Sequence, residues 1–217
     1  MLGWLMLALA HGDALDIPAT DGLASYRIDR GEVSVSEFES FVTAGGYLAR
    51  EYWSEDGWDW IQENKAGAGV LARSSNRAGD HPVVAVTLYE AEAYCRSKGG
   101  SLPSAAQWQQ AVCGAKGPYP WGEGIDRKVA WFAEGKYGKI ESVTTWPVHS
   151  GEDNASPHGL LHGAGNVWEW TQEQVGDWWV LRGGSFSNLP SYCTCTHKEL
   201  ATPADSRLTT GFRCVWP

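Results

Sequence analysis

The sequence has 217 residues, of which 43% are hydrophobic and 20% charged, enough for one domain around a single core. The net charge of −9 comes without a basic cluster, which excludes the usual electrostatic footprint of a nucleic-acid-binding protein. Thirteen tryptophans exclude a disordered chain, and 26 glycines predict many turns and much irregular backbone.

The first ten residues, from Met1 to Ala10, are apolar but too short to span a bilayer, which needs about 20 residues. They resemble the hydrophobic part of a secretory signal, and residues 8–10 have the small-x-small form of a cleavage site. No Lys or Arg precedes Arg27, so the cationic start of such a signal is missing. For residues 1–24 the alternatives are a signal, a buried first strand, and a start codon placed inside a longer gene.

Three helices are predicted where a hydroxyl residue is followed three positions later by Glu or Gln, the spacing of a capping box. Apolar residues follow each box at helical intervals, and glycines at 45–46, 99–100 and 114 are expected to end the helices. The boxes are Ser34/Glu37, Thr87/Glu90 and Ser104/Gln107.

The rest of the chain is rich in turns. Residues 65–80 are polar and contain glycine, which predicts a flexible loop. Short strands fit Trp178–Arg182 and residues 211–215. Because neither a repeat nor a linker is visible, we expect one α+β domain over residues 25–217.

Five cysteines form the next group. Two pairs with one thiol left over are typical of a secreted protein. The spacings do not match a zinc site, and they do not determine which cysteines pair. The five are Cys95, Cys113, Cys193, Cys195 and Cys214.

Three segments give the sequence a specific resemblance: SLPSAAQW at 101–108, GNVWEWT at 165–171, and LRGGSF at 181–186 followed by TGFRC at 210–214. Their order and spacing resemble the sulfatase-modifying-factor family, the formylglycine-generating enzyme and its relatives. The resemblance implies that family's variant of the C-type-lectin fold, with low regular secondary structure, about three short helices and short antiparallel sheets. Residues 41–60 are also similar to a domain of ergothioneine-pathway sulfoxide synthases, whose iron-binding histidines lie on a separate domain outside the resemblance.

The resemblance places an active site around Ser185, Asn188 and Cys193. In the formylglycine-generating enzyme two thiolates hold Cu(I), for which soft sulfur is suited, and oxygen oxidises a substrate cysteine. Ser185 matches a serine that lines that site, and Cys193 matches the second copper cysteine. Asn188 stands in place of the first, and its hard amide oxygen does not suit Cu(I), so the copper-cysteine pair is incomplete.

The resemblance also implies the disulfides Cys95–Cys214 and Cys113–Cys195, which leave Cys193 free. The match requires a short deletion before Cys193, so the assignments of Cys193 and Cys195 can be exchanged. Two disulfides indicate an oxidising compartment, and we expect a periplasmic or extracellular protein.

A calcium site of the family matches Gly165, Val167, Glu169 and His162. His162 occupies the position of a side-chain oxygen ligand, and its nitrogen is a poor ligand for Ca²⁺, so the site is degenerate. His158 and His162 have the i, i+4 spacing of a helical metal pair. Their glycine-flanked segment favours ordinary loop histidines.

These residues support alternative functions. The first is an O₂-dependent oxidase acting on a thiol-containing protein, peptide or small molecule, with Cys193 as the reactive sulfur beside Ser185. The second is a non-catalytic, C-type-lectin-like module that binds a peptide or glycan through exposed aromatic residues. A third is an accessory protein that matures a peptide-derived siderophore, by analogy with the pyoverdine branch of the family.

We expect no nucleic-acid partner and no membrane span, and the sequence leaves open a monomer or a small oligomer. The aromatic candidates are Trp53, Trp58, Trp60, Trp178 and Trp179.

Overall fold

The computed structural model describes residues 13–20, 22–64, 69–74, 78–113, 117–124 and 144–217. In these ranges it contains five α-helices and seven β-strands. The helices are α1 (Val35–Thr43), α2 (Glu55–Asn64), α3 (Gly69–Ser74), α4 (Leu88–Ser97) and α5 (Ala105–Cys113). The strands are β1 (Ala14–Ile17), β2 (Tyr26–Asp29), β3 (Trp168–Val175), β4 (Trp178–Arg182), β5 (Glu199–Ala201), β6 (Thr210–Gly211) and β7 (Val215–Trp216).

The capping boxes of α1, α4 and α5 are confirmed. In α4, for example, the Thr87 N–H donates to Glu90 at 2.8 Å and the Glu90 N–H donates to the Thr87 hydroxyl at 3.2 Å. Each box satisfies amides of the first turn that have no partner inside the helix. Gly45 and Gly99 follow α1 and α4 with positive φ, as predicted, whereas Gly114 lies outside the described residues.

Two helices were missed from the sequence. The hydroxyl of Ser54 accepts a hydrogen bond from the Gly57 N–H at 3.1 Å and so caps α2 without a capping box. The prediction of a loop over 65–80 was wrong for α3, in which Val70 is buried in the core. Glycine near the start of both helices hid their apolar pattern.

The strands form two sheets. The first has the order β1-β2-β7 and is antiparallel. The second has the order β5-β4-β3-β6, in which β3 pairs with β4 and β4 with β5 in antiparallel fashion, as expected, whereas β3 and β6 pair in parallel. The prediction of β4 is confirmed, but the strand expected over 211–215 divides into β6 and β7, which belong to different sheets. Because β1 lies inside 1–24, part of that segment belongs to the folded unit.

The main core lies among α1, α4 and the second sheet and is built on aromatic contacts. Phe38 of α1 stacks on Tyr94 of α4 with ring centroids 5.7 Å apart, and Phe212 meets Tyr94 at 5.4 Å. A second cluster packs Trp108 of α5 against the first sheet through Ile28. Such aromatic pairs bury large areas and fix the relative position of the elements that carry them.

Two disulfides tie the helices to the C-terminal part of the chain. Cys95 of α4 is bonded to Cys214, with Cα atoms 5.5 Å apart, and Cys113 of α5 to Cys195, with Cα atoms 5.8 Å apart. These are the two pairs that the resemblance implies, and Cys193 is the free thiol. No helix in the described ranges is long and apolar enough to cross a membrane.

Candidate functional site

The loop after β4 carries the expected active-site residues. Gly183 and Gly184 have φ of +94° and +75°, a backbone conformation that L side chains rarely adopt. A Cβ on Gly184 would overlap the sulfur of Cys193. The glycines therefore let the loop turn sharply against Cys193.

Ser185 and Asn188 close this loop through several hydrogen bonds. The Asn188 Oδ1 atom accepts from the Ser185 backbone N–H at 3.0 Å and from the Ser185 hydroxyl at 2.6 Å. The Asn188 N–H returns a hydrogen bond to the Ser185 carbonyl at 3.0 Å. The oxygen of the Asn188 amide is thus engaged inside the loop itself.

Cys193 contacts the backbone of Ser185 and is fully buried. Its sulfur is 3.9 Å from the Ser185 carbonyl and 3.7 Å from the Leu189 carbonyl. Burial raises the pKa of this thiol to about 12, although a backbone hydrogen bond at Ser185 opposes the shift. The structure therefore brings Ser185, Asn188 and Cys193 together, with Cys193 as a neutral thiol at physiological pH.

Aromatic and apolar side chains surround this loop. Trp121 packs on Cys193 and Ala164, and its ring stacks on Tyr119 with centroids 5.2 Å apart. Leu189 precedes the turn Pro190–Tyr192 and Tyr192 is its last residue; their side chains are 50% and 45% exposed. We call these two side chains the 189–192 surface.

Glu169 is held by a buried cation from the protein itself. Arg213 donates to its two carboxylate oxygens at 2.6 and 2.8 Å, and the Trp108 indole N–H donates at 2.8 Å. The remaining N–H groups of Arg213 donate to the carbonyls of Asp29, Arg30 and Leu161. The side chains of Glu169 and Arg213 are fully buried.

The other expected calcium ligands do not complete a site. His162 is buried with its Nε2 atom 3.1 Å from the Pro147 carbonyl, and burial together with the nearby Arg213 charge lowers its pKa to about 4. Gly165 has φ of +93° and donates its N–H to the Gly183 carbonyl, and Val167 is buried.

A calcium ion requires several oxygen ligands around one point. Here the carboxylate of Glu169 is bonded to a guanidinium, and His162 offers a nitrogen. The residues matched by the resemblance therefore do not fit calcium. Among the described residues, no group of three or more His, Cys, Asp or Glu side chains has the arrangement of a metal site.

The aromatic candidates are dispersed. Trp178, at the start of β4, is exposed, whereas Trp58, Trp60 and Trp179 are half-buried. Trp53 was expected at the surface and is instead buried in the main core against Tyr47, and its indole N–H donates to the Gly46 carbonyl at 2.9 Å. His158 and His162 lie in a loop rather than on a helix, as expected.

Three residues near the site were missed from the sequence: Glu32, Asn166 and Arg213. All three are buried. Asn166 and Arg213 lie in segments quoted for the resemblance and Glu32 does not, but a charged or amide residue in isolation gives no signal of burial. The buried neighbours of Arg213 in the sequence, Phe212 and Cys214, were the available signal.

Comparison with known proteins gives the fold and then the family. The Treponema denticola variable protein 1 has the same fold, with a TM-score of 0.65 and 18% sequence identity over 94% of this chain and 91% of that protein. This fold is the C-type-lectin-like fold expected from the sequence. The family model of the sulfatase-modifying factor enzyme 1-like domain matches residues 12–217, and the chain belongs to that family.

Two curated relatives illustrate the range of the family. The formylglycine-generating enzyme of Thermomonospora curvata is 31% identical over 261 aligned residues, which cover 89% of this chain and 82% of that protein. The hercynine oxygenase of Mycolicibacterium smegmatis is 28% identical, over 93% of this chain and 54% of that protein. The chain spans about half the length of the hercynine oxygenases it matches.

Proposed function

We propose that this domain binds a peptide on the 189–192 surface and that it does so without the two-thiolate copper chemistry of the formylglycine-generating enzyme. One observation carries the proposal. The oxygen of Asn188 is engaged by the backbone and the hydroxyl of Ser185, and the single thiol beside it, Cys193, is buried and neutral. Cu(I) held at this place would have one thiolate, which first has to lose a proton inside the core.

The 189–192 surface supplies the chemistry that a peptide needs. Leu189 and Tyr192 present an aliphatic and an aromatic side chain one turn apart, on backbone fixed by the Tyr192 N–H bond to the Leu189 carbonyl at 2.9 Å. Tyr192 also packs on His197, with ring centroids 5.0 Å apart. Rigid aromatic residues with a polar edge are typical anchors for bound peptides.

Selection from a displayed peptide library, followed by fluorescence anisotropy with the selected peptides, tests the proposal. We expect Leu189→Ala/Tyr192→Ala to weaken binding by about tenfold or more. Leu48→Ala is the matched control, because Leu48 is 84% exposed at a turn remote in sequence from the loop. The proposal fails if no peptide is selected, or if the double variant binds as tightly as the wild type.

The second candidate function is O₂-dependent oxidation of a thiol substrate, which the contact of Cys193 with Ser185 and the formylglycine-generating relatives favour. An anaerobic competition for Cu(I) against a chromophoric chelator separates the two. We expect the native protein, with both disulfides intact and Cys193 as a free thiol, to leave Cu(I) with the chelator. Tight binding of one Cu(I), abolished by Cys193→Ala, would overturn the proposal and favour the oxidase.

Export is part of the same proposal. Disulfides form and persist in oxidising compartments, and the domain has two of them, each joining distant parts of the chain. Met1 to Ala10, the expected signal, lies outside the described residues. Fractionation of cells that express the full gene, with mass-spectrometric thiol counting, tests whether the oxidised protein accumulates outside the cytoplasm.

A further inference from the structure

Glu32, just after β2, is a carboxyl group sealed inside the protein. Its side chain is 2% exposed. Oε1 accepts a hydrogen bond from the Asn166 Nδ2 atom at 2.9 Å, whereas Oε2 is buried with no hydrogen-bond partner among the described residues. An ionised carboxylate in this position has to leave half of its charge without a partner, which is costly in a core.

The two charged groups that face Glu32, Arg213 and Glu169, form an ion pair with each other. Arg213 lowers the pKa of Glu32 and Glu169 raises it, but the guanidinium of Arg213 is bonded to both oxygens of Glu169. Burial is the largest influence and raises the pKa of Glu32 to about 8. Asp29 of β2, the next carboxyl group beside Arg213, is bonded to the Cys214 N–H, and burial raises its pKa to about 7.

Asn166 connects Glu32 to two other segments. Its Oδ1 atom accepts from the Trp146 N–H at 2.8 Å, and its backbone carbonyl accepts from the Phe186 N–H at 2.8 Å. Phe186 follows Ser185 in the loop that carries the proposed binding surface. Asn166 itself has φ of +60°, so its position depends on these contacts rather than on a relaxed backbone.

We propose that Glu32 is a pH-sensitive switch: with its proton bound, it holds Asn166 closed against residues 146 and 186, and loss of that proton opens these contacts. Opening lets water reach the carboxylate, which then has an ordinary pKa, so opening is linked to the release of one proton. The proton passes from Glu32 to solvent, and no bond other than O–H changes. The population of the open form therefore rises about tenfold per pH unit between the ordinary carboxyl pKa and that of buried Glu32, and is constant at higher pH.

Hydrogen exchange tests the switch in the full chain. The readout is the protection of the Trp146 and Phe186 amides between pH 5.5 and 8.5, corrected for the intrinsic pH dependence of exchange. In the wild type we expect protection to fall steeply up to about pH 8. In Glu32→Gln, which keeps the shape and cannot ionise, we expect this Glu32-dependent fall to be absent.

Glu90→Gln is the matched control. Glu90 is also buried, but both of its oxygens are bonded, to Thr87 and to the Tyr47 hydroxyl at 2.6 Å. We expect this variant to keep the pH dependence of the wild type. Asp29 titrates in the same range and is present in all three proteins, so the difference between wild type and Glu32→Gln isolates Glu32.

Equal pH dependence in the wild type and Glu32→Gln overturns the inference, as does loss of the pH dependence in Glu90→Gln. If Glu32→Gln does not fold, a carbon NMR titration of Glu32 in the wild type decides, and an ordinary carboxyl pKa contradicts the switch. An effect of this switch on the 189–192 surface rests on the proposed function of that surface. Exchange and titration need no ligand, so failure of peptide binding and failure of the switch are distinguished.

Discussion

The substitution Glu169→Gln examines the buried ion pair of Glu169, an expected calcium ligand, with Arg213. It removes the carboxylate but leaves Arg213 charged, and side chains of both residues are fully buried. Removing one partner of a buried pair costs about 3–5 kcal/mol, because the other charge stays in the core uncompensated. The total stability of a domain is typically about 5–15 kcal/mol, so this loss is a large share of it.

Urea unfolding followed by tryptophan fluorescence measures the effect. With a slope of about 3 kcal/mol per molar urea, the expected loss lowers the midpoint by about 1–1.7 M. Glu152→Gln is the control, since Glu152 pairs with Arg30 at 3.3 Å but its side chain is 77% exposed. Such exposed pairs contribute about 0–1 kcal/mol, so the control midpoint shifts by about 0.3 M or less.

Two results would refute the reasoning. The first is a midpoint for Glu169→Gln that matches that of Glu152→Gln. The second is a midpoint of the wild type that rises on addition of Ca²⁺ or falls on addition of a chelator, since that would show a metal rather than Arg213 as the counter-charge of Glu169.

Three further outcomes are expected from the cysteines and the glycine loop. Cys95→Ala/Cys214→Ala lowers the free energy of unfolding by about 4–5 kcal/mol, because the disulfide closes a loop with a sequence separation of 119 residues. Calorimetry of the oxidised protein measures the change, and an unchanged melting temperature contradicts it. Native protein at pH 8 reacts negligibly with a thiol reagent, because burial raises the pKa of Cys193 to about 12. After unfolding one thiol per chain reacts, and rapid labelling of the native protein would contradict the prediction. Gly184→Ala lowers the free energy of unfolding by about 1–3 kcal/mol, because the residue has positive φ and its Cβ would overlap Cys193. Gly176 also has positive φ but has open space around it, so Gly176→Ala lowers the free energy of unfolding by less, and urea unfolding compares the two variants.

The features that depend on neighbours in sequence were predictable. The capping boxes of α1, α4 and α5 join residues three positions apart, so the sequence displays them directly. The start of α2 depends on one hydroxyl at Ser54, a weaker signal, and that helix was missed. The strand expected over 211–215 was misread because nothing in five consecutive residues indicates that the chain passes from one sheet to the other.

The sequence predicted which residues lie together in the loop after β4, but it did not predict which charged groups pair in the core beside that loop. The resemblance brought Ser185, Asn188 and Cys193 together, and the structure places them around one loop. The partner of Glu169 is Arg213, which is 44 residues away in sequence and follows β6, the strand that pairs in parallel with β3. Long-range pairing of this kind depends on tertiary packing, and no local pattern reports it.

The pairing of the cysteines has a consequence for how the protein matures. Cys95 and Cys113 are synthesised first, and each waits for a partner in the last quarter of the chain, Cys214 and Cys195. Until Cys195 and Cys214 have been synthesised, Cys95 and Cys113 are the nearest thiols to each other in sequence. Cys193, once synthesised, can also form a disulfide with either of them. Cys193, which is buried in the folded protein, is therefore available to form a wrong disulfide before folding is complete, and any such bond has to be exchanged before the C-terminal strand docks.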